Sequence, residues 1–480
     1  MKRHIIRHLT MFIFVVLLAA VTTGCKKEKE IANNPLVKIT DAVKATDTPT
    51  PGPSATPTPI IDMPSARYDA EKEPRSTEDE EPEIIEFEDE VLTLNPFYAD
   101  TELAQEIVEK TQAPLFYIDE SGKALAGIEY PCIAYEYEFI DDTSMFGSTA
   151  HDAGDDYRVL RVVLKEGISF CDGEAVTISD VVYSAHVLGN PNYGGPLTYY
   201  ENDIYGMKEY RTQVSEERRK KAEQIKAAGI KKDGSLPAPN GFGLAEQKEF
   251  WSYWDEAGLL FAEDIIDYVN THYGDNAYVQ AFLSNQLTYA KVRDDESLRT
   301  AYAFAIWGYM KDYNSKTRVM TDTFGNVYKF DEAPLTAQDL YNVIFEYYGY
   351  DLDDKTGINY ECPKTEKHFE DYITELYLAD GPKIEQISGI STGAYRYEDQ
   401  AMRGCVYFLV GKDTDPAQLN LYVVPKHIYL GNERLGDLKG AGEYYLEGFS
   451  ETDNTITLVA NDSYMLGSPR KKYIKYVWKE

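Results

Sequence analysis

The chain is poor in the residues that most metal-dependent and nucleophilic catalysis relies on. Histidine occurs seven times in 480 residues and cysteine five times. The one HxxxH spacing, His4 with His8, falls in the first ten residues, and there is no HExxH zinc signature. Cys25, Cys132, Cys171, Cys362 and Cys405 are too widely separated for a CxxC metal or redox site. There is no P-loop, and no GxSxG nucleophile elbow is expected. Positive charge is also scarce, with 48 Lys and Arg against 81 Asp and Glu, a formal charge of −33. Duplex binding rests on Lys and Arg neutralising phosphates, so nucleic acid is excluded as a partner. Long apolar runs are missing too. Met11 to Val21 is too short to span a bilayer, which takes about 20 apolar residues.

That short run has a different use. It follows Lys2, Arg3 and Arg7 and ends in small residues, the pattern of a secretory signal peptide over residues 1–24. Thr22, Thr23 and Gly24 lead into Cys25, which resembles the lipobox of bacterial lipoproteins, with Thr22 where Leu is usual. Lipidation of Cys25 by two or more acyl chains would make a stable anchor. Loss of the three leader cations takes the charge from −33 to −36, a soluble, self-repelling exported body. Four cysteines then remain; they allow two disulfides in three connectivities or free thiols, and the sequence does not choose.

Residues 25–85 read as a disordered stalk. A Pro/Thr tract from Thr48 to Pro59 stays extended, and the acidic run Glu78 to Glu83 prolongs it. Folded sequence begins near Ile84. Tyr157 to Leu164 alternates as a half-buried strand, Gly404 to Val410 is an apolar run of strand length, and Thr455 to Ala460 alternates again. Trp251, Trp254, Ala257, Phe261, Ala262, Ile265, Ile266 and Val269 recur at helical spacing, with Gly258 as an interruption. Thr177-Ile-Ser-Asp180 and Thr336-Ala-Gln-Asp339 are capping boxes with Asp in place of Glu. Their lead-ins echo one another, and shared cap chemistry explains the echo more simply than an internal repeat.

The order of several short segments carries a resemblance. Leu94-Asn-Pro96, Leu115-Phe-Tyr117, Tyr130-Pro-Cys-Ile-Ala134, Gly167-Ile-Ser-Phe170, Asp172-Gly173 and the Thr177 capping box follow one another. Val424-Pro-Lys-His427, Gly440-Ala-Gly-Glu-Tyr-Tyr-Leu446 and Asn461-Asp-Ser-Tyr464 continue the series. Together they resemble the first lobe of the family 5 extracellular solute-binding proteins, the oligopeptide, dipeptide and nickel receptors of ABC importers. The fold implied is mixed α/β and periplasmic-binding-protein-like (type II). Its solute-binding lobe would be 86–205 with 384–480, and 206–383 a mainly helical insertion. The family's second lobe has no counterpart before Glu480, so a truncated form, or a lobe supplied by another chain, is expected.

The resemblance implies a non-enzyme without cofactor or metal, lipid-anchored on the extracytoplasmic side of the cell membrane. Its partners would be a peptide or other small solute and the ABC permease subunits. By position it places Asp100, Thr101 and Glu102, after Pro96, on the ligand cleft, beside the competing reading of a plain helix start. Tyr199, in Pro196-Leu-Thr-Tyr-Tyr200, is the best aromatic contact, because tyrosine joins a flat apolar face to one polar tip; a core role competes. Other candidates read as structural: the loop His151 to Asp156, the calcium-like Asp351 to Gly357, and His427. The alternative function is a surface interaction or adhesion protein that reuses one binding lobe.

Overall fold

The structure, a computed structural model, describes residues 81–88, 93–238, 241, 243–275, 286–361, 367–396, 402–434, 436, 438–450 and 455–479. Cys25, the leader and the stalk up to residue 80 lie outside the described residues. The longer strands, in chain order, are β1 (Glu83–Phe87), β2 (Ala134–Ile140), β3 (Tyr157–Leu164), β4 (Met310–Asn314), β5 (Val319–Asp322), β6 (Val327–Lys329), β7 (Ile390–Arg396), β8 (Met402–Gly411), β9 (Tyr444–Ser450), β10 (Thr455–Ala460) and β11 (Tyr473–Trp478). The longer helices are α1 (Glu102–Thr111), α2 (Ile178–Gly189), α3 (Glu216–Ala228), α4 (Leu244–Trp251), α5 (Trp254–His272), α6 (Arg299–Trp307), α7 (Ala337–Tyr348) and α8 (Phe369–Ala379). The architecture is mixed α/β. The described residues form two compact units, one running up to Thr212 and resuming at Glu385, the other spanning 213–384.

The first unit holds two four-stranded sheets. One runs β7-β8-β3-β2, antiparallel throughout. Its middle strands are buried on both faces, with Val159, Leu160, Val162 and Val163 against Val406, Phe408, Leu409 and Val410. Gly404 to Val410 announces this by its continuous apolar run. Tyr157 to Leu164 does not, because Arg161 mimics a solvent-facing position. In the structure Arg161 is buried too: its guanidinium pairs with Glu138, directly opposite on β2, and lies 3.7 Å from the Tyr395 ring centroid. The half-buried expectation is corrected on that ground.

The second sheet runs β1-β11-β10-β9, with β1 parallel to β11 and the other pairs antiparallel. Strand β10 alternates as expected, burying Ile456, Leu458 and Ala460. Those side chains meet Leu103, Ala104, Ile107 and Val108, the i, i+1, i+4, i+5 stripe of α1. Helix α2 is buried almost all round from Asp180 to Gly189. Its capping box forms: Asp180 Oδ2 accepts the Thr177 N–H at 2.8 Å and the Thr177 hydroxyl at 2.8 Å. Asp180 Oδ1 accepts the Lys426 N–H at 2.9 Å, so one carboxylate closes the helix and ties down a distant segment.

The second unit is built around α5, which packs against α6, α7 and α8. Mainly helical as expected, it also carries a three-stranded antiparallel sheet, β4-β5-β6, whose strands the sequence pattern does not mark. These strands have three to five residues, too few for a period-2 pattern to stand out. Gly258 does not interrupt α5. A Cβ there would sit 2.0 Å from Tyr341 Cε2, so glycine lets the α7 ring lie against the α5 backbone. The Tyr341 hydroxyl then donates to Asp255 Oδ1 at 2.7 Å. The Asp339 carboxylate completes the α7 capping box with Thr336 at 2.7–2.8 Å.

Candidate functional site

The turn after Leu94 is set by a buried amide. Asn95 Oδ1 accepts the Phe97 N–H at 2.9 Å, and its Nδ2 donates to the Glu433 carbonyl at 2.8 Å. Tyr98 follows, its ring 5.4 Å from that of Tyr193 and 5.0 Å from the Arg434 guanidinium. The Tyr193 hydroxyl donates to the Phe97 carbonyl at 2.7 Å, and burial pushes it up to about 12. These three side chains, with Asn190, Asn192 and Glu433, line a cavity of about 340 Å³.

Tyr199 opens a 3₁₀ turn, Tyr199–Glu201, and is 6% exposed. Its hydroxyl is buried with no hydrogen-bond partner among the described residues, and burial holds it well above the usual phenol range. The side chain lines a cavity of about 280 Å³ with Leu197, Asn202, Gln418, Asn420 and Tyr422. The walls are anchored: Asn202 Nδ2 donates to the Gln418 carbonyl at 2.7 Å, and Asn420 Oδ1 accepts the Phe116 N–H at 2.9 Å. One amide atom of each asparagine is thereby committed to backbone. A third cavity of about 300 Å³, lined by Gln112, Glu443 and Tyr464, shares Pro114 and Tyr422 with it. The Pro114–Tyr422 strand pair is the partition between the two.

Thr101 is the N-cap of α1, its hydroxyl oxygen accepting the Ala104 N–H at 3.2 Å. Glu102 stands in the first turn, where a carboxylate favours the helix dipole, and Asp100 is exposed before it. Neither the 340 Å³ cavity nor the two beside Tyr422 has Asp100, Thr101 or Glu102 in its lining. Tyr98, Tyr193, Asn202, Asn420 and Arg434 were not singled out from the sequence. The one signal available was proximity, since Tyr98 follows Pro96 by two places and Asn420 precedes Val424 by four.

The remaining candidates are accounted for locally. The string Gly389-Ile-Ser-Thr-Gly393 does have GxSxG spacing, against expectation. It runs into the extended strand β7, where the Ser391 hydroxyl donates to the Met145 carbonyl at 3.2 Å, so no strand-turn-helix elbow forms. In the Asp351 loop, Asp353 Oδ1 accepts the N–H groups of Lys355 and Thr356 at 2.9 and 3.0 Å, and Asp351 pairs with Lys232 at 2.6 Å. That is a self-satisfied turn. His427 Nε2 lies 2.8 Å from Asp172 Oδ2 at a partly exposed position. Cys132 and Cys405 are buried free thiols. No group of three potential metal ligands occurs among the described residues, and no helix among them is long and apolar enough to cross a membrane.

No protein-family model matches the chain, and no curated protein sequence matches it. Solved structures do. The ABC transporter substrate-binding protein CtaP from Listeria monocytogenes aligns over 84% of this chain and 41% of its own, with 11% identity and a TM-score of 0.31. The oligopeptide-binding protein AppA from Bacillus subtilis, solved with a nonapeptide, aligns over 84% and 40%, with 12% identity and a TM-score of 0.33. NikZ from Campylobacter jejuni, solved with Ni(L-His), aligns over 85% and 40%, with 11% identity and a TM-score of 0.31. The chain spans about two-fifths of the length of these proteins.

Proposed function

We propose that the chain is the solute-binding component of an ABC importer, binding rather than transforming its ligand. Oligopeptide is the first ligand to test. The protein is tethered by lipid on Cys25 to the extracytoplasmic face of the cell membrane, and it hands its ligand to permease subunits. The ligand site is the Tyr199 cavity and its surroundings in the unit that runs up to Thr212 and resumes at Glu385, with Asp100, Thr101 and Glu102 as further contacts. One observation carries the reading. Tyr199 is nine-tenths buried beside a cavity, yet its hydroxyl has no partner among the described residues. Buried phenols normally find a partner, and a ligand polar group would supply it as the cavity wall opens to reach the hydroxyl, which has almost no accessible surface in the free protein. Supporting it are the asparagines in the same wall, which suit a peptide backbone, and the order of the sequence motifs.

The test is thermal unfolding of the full chain with a peptide library from dipeptides to nonapeptides. A true ligand at one hundred times its Kd adds about 2.7 kcal/mol of stability by mass action. Tyr199→Phe should leave the free protein folded and weaken the best peptide by about tenfold, the worth of one good hydrogen bond. If no peptide moves the melting temperature, the peptide assignment fails. Mass spectrometry of membrane-extracted protein checks diacylation at Cys25.

A surface interaction protein remains the second reading, on a separate observation. Phe324 and Tyr347 are large apolar side chains exposed together, their rings 4.6 Å apart, and Val327 is exposed on the strand that follows Phe324. Exposed apolar clusters mark contact surfaces. Retention of whole chain by host-cell or cell-wall surfaces, lost in Phe324→Ser, would favour this reading over import.

A further inference from the structure

Helix α4 places Leu244, Lys248 and Trp251 at i, i+4 and i+7, on one face. That face lines a cavity of about 500 Å³ within the 213–384 unit, opposite Ile230, Leu236 and Tyr350. The volume falls in the range of about 300–1,000 Å³ usual for small-molecule sites.

The walls are held rigidly. The Lys231 to Ser235 turn is closed by the Gly234 N–H on the Lys231 carbonyl at 2.8 Å and the Lys231 N–H on the Ser235 carbonyl at 2.9 Å. Gly234 sits at φ +77°, and a Cβ there would lie 2.7 Å from Tyr350, so the turn rests directly on that ring. Tyr350 is in turn packed between Trp254, 4.9 Å away, and Phe345, 5.3 Å away. A cavity held open by a pinned turn and a clamped ring is pre-formed, which lowers the entropic cost of binding.

The one formal charge among the described residues of this lining is positive, on Lys248. Ser235 Oγ donates to Asp233 at 2.6 Å and Ser252 Oγ donates to the Glu249 carbonyl at 2.7 Å, so both hydroxyl protons are spent locally. The side-chain donors left are the Lys248 ammonium, which makes no ion pair among the described residues, the Tyr350 hydroxyl, and the Trp251 indole N–H, which is buried without a partner among them. Among the described residues no Asp or Glu lines the cavity, in a chain where acids outnumber bases 81 to 48. A ligand that fits carries an acceptor, preferably anionic, on an apolar body.

We infer that this cavity is a second binding site, for a small amphipathic carboxylate. Its apolar or aromatic body stacks on Trp251 and Tyr350 between Leu236 and Leu244. Its carboxylate meets the Lys248 ammonium, with the Tyr350 hydroxyl as a second donor in the same wall. The inference does not depend on the Tyr199 cavity, which shares no lining residue with it.

The experiment is calorimetric titration of the full chain with 4-phenylbutyrate, 4-phenylbutanol and 4-phenylbutylamine, which share one body and differ in head group. The expected result is saturable binding of the carboxylate, with the alcohol and amine weaker by about tenfold or more, since charge-assisted hydrogen bonds are roughly twice as strong as neutral ones. Lys248→Gln should lose about tenfold for the carboxylate and nothing for the alcohol. Leu244→Asp should abolish carboxylate binding. Both positions are exposed, so thermal unfolding of the two variants should match the parent. Tyr199→Phe should bind 4-phenylbutyrate unchanged. No saturable binding of the carboxylate, equal binding of all three probes, or indifference to Lys248→Gln would overturn the inference.

Discussion

His186 should make the stability of the first unit depend on pH in a window that one substitution can remove. The ring sits in the middle of α2, 3% exposed, with Nδ1 2.8 Å from the Val182 carbonyl and Nε2 accepting the Ile387 N–H at 3.2 Å. Those two bonds fix a neutral tautomer, with the proton on Nδ1. Burial, with a smaller push from the Lys426 charge, lowers the ring from 6.5 to about 4. Because the unfolded chain takes up the proton first, this stability is fully present above pH 6.5. It is lost as pH falls from 6.5 towards 4. At about 1.4 kcal/mol per pH unit, the loss is about 2 kcal/mol at pH 5 and approaches about 3 kcal/mol at pH 4. His186→Gln keeps a donor and an acceptor but cannot titrate. It should cost about 1–2 kcal/mol at pH 7.5, through poorer packing against Tyr210, whose ring lies 5.2 Å away. The assay is urea unfolding by circular dichroism for both chains at pH 7.5 and pH 5. Carboxylates contribute to both chains alike, so the double difference isolates His186. A variant that loses as much stability as the parent between the two pH values would refute the reasoning.

Three other perturbations test the fold and the site. Asp180→Ala should cost about 3 kcal/mol in urea unfolding, since it strips a buried carboxylate from the α2 cap and from the Lys426 N–H together. Asp339→Ala removes the same cap chemistry from the more exposed α7 start and should cost only about 1 kcal/mol. Gly258→Ala should destabilise by about 2 kcal/mol although alanine is the better helix former, and Tyr341→Ala in the same chain should relieve part of that cost. Tyr199→Phe should leave ligand-free stability unchanged or raise it by up to about 1 kcal/mol, because the hydroxyl it removes is buried without a partner among the described residues. A drop of more than about 1 kcal/mol would mean that the hydroxyl is already satisfied in the free protein.

Local chemistry was legible in the sequence where one short segment decides its own structure. Both Asp capping boxes, the alternation of β10, the apolar run of β8 and the stripe of α5 depend on neighbours within a few positions, and all form. What failed to show was set by distant partners. Arg161 looks solvent-facing until Glu138 and the Tyr395 ring are brought to it, and Gly258 looks like a break until Tyr341 covers it. The candidate sites are the extreme case of this. The Tyr199 wall joins residues near 200 to residues near 420, so no local pattern could mark Asn202 and Asn420 as neighbours. Trp251 is more instructive: it reads as the first member of the apolar stripe that continues from Trp254, and it is buried, but it ends the separate helix α4 while the stripe proper belongs to α5. Periodicity reports which face of a helix is turned away from water. It does not report whether that face meets other core side chains or the wall of a cavity, since both hide apolar area equally well. Buried polar atoms do not separate the two cases by themselves, since the Tyr183 hydroxyl, the Gln247 amide and the Trp254 indole N–H are also without partners among the described residues yet line none of the cavities described above. What sets the Tyr199 and Lys248 walls apart is the coincidence of polar groups with a cavity that long-range packing builds, and that coincidence is invisible to any local pattern.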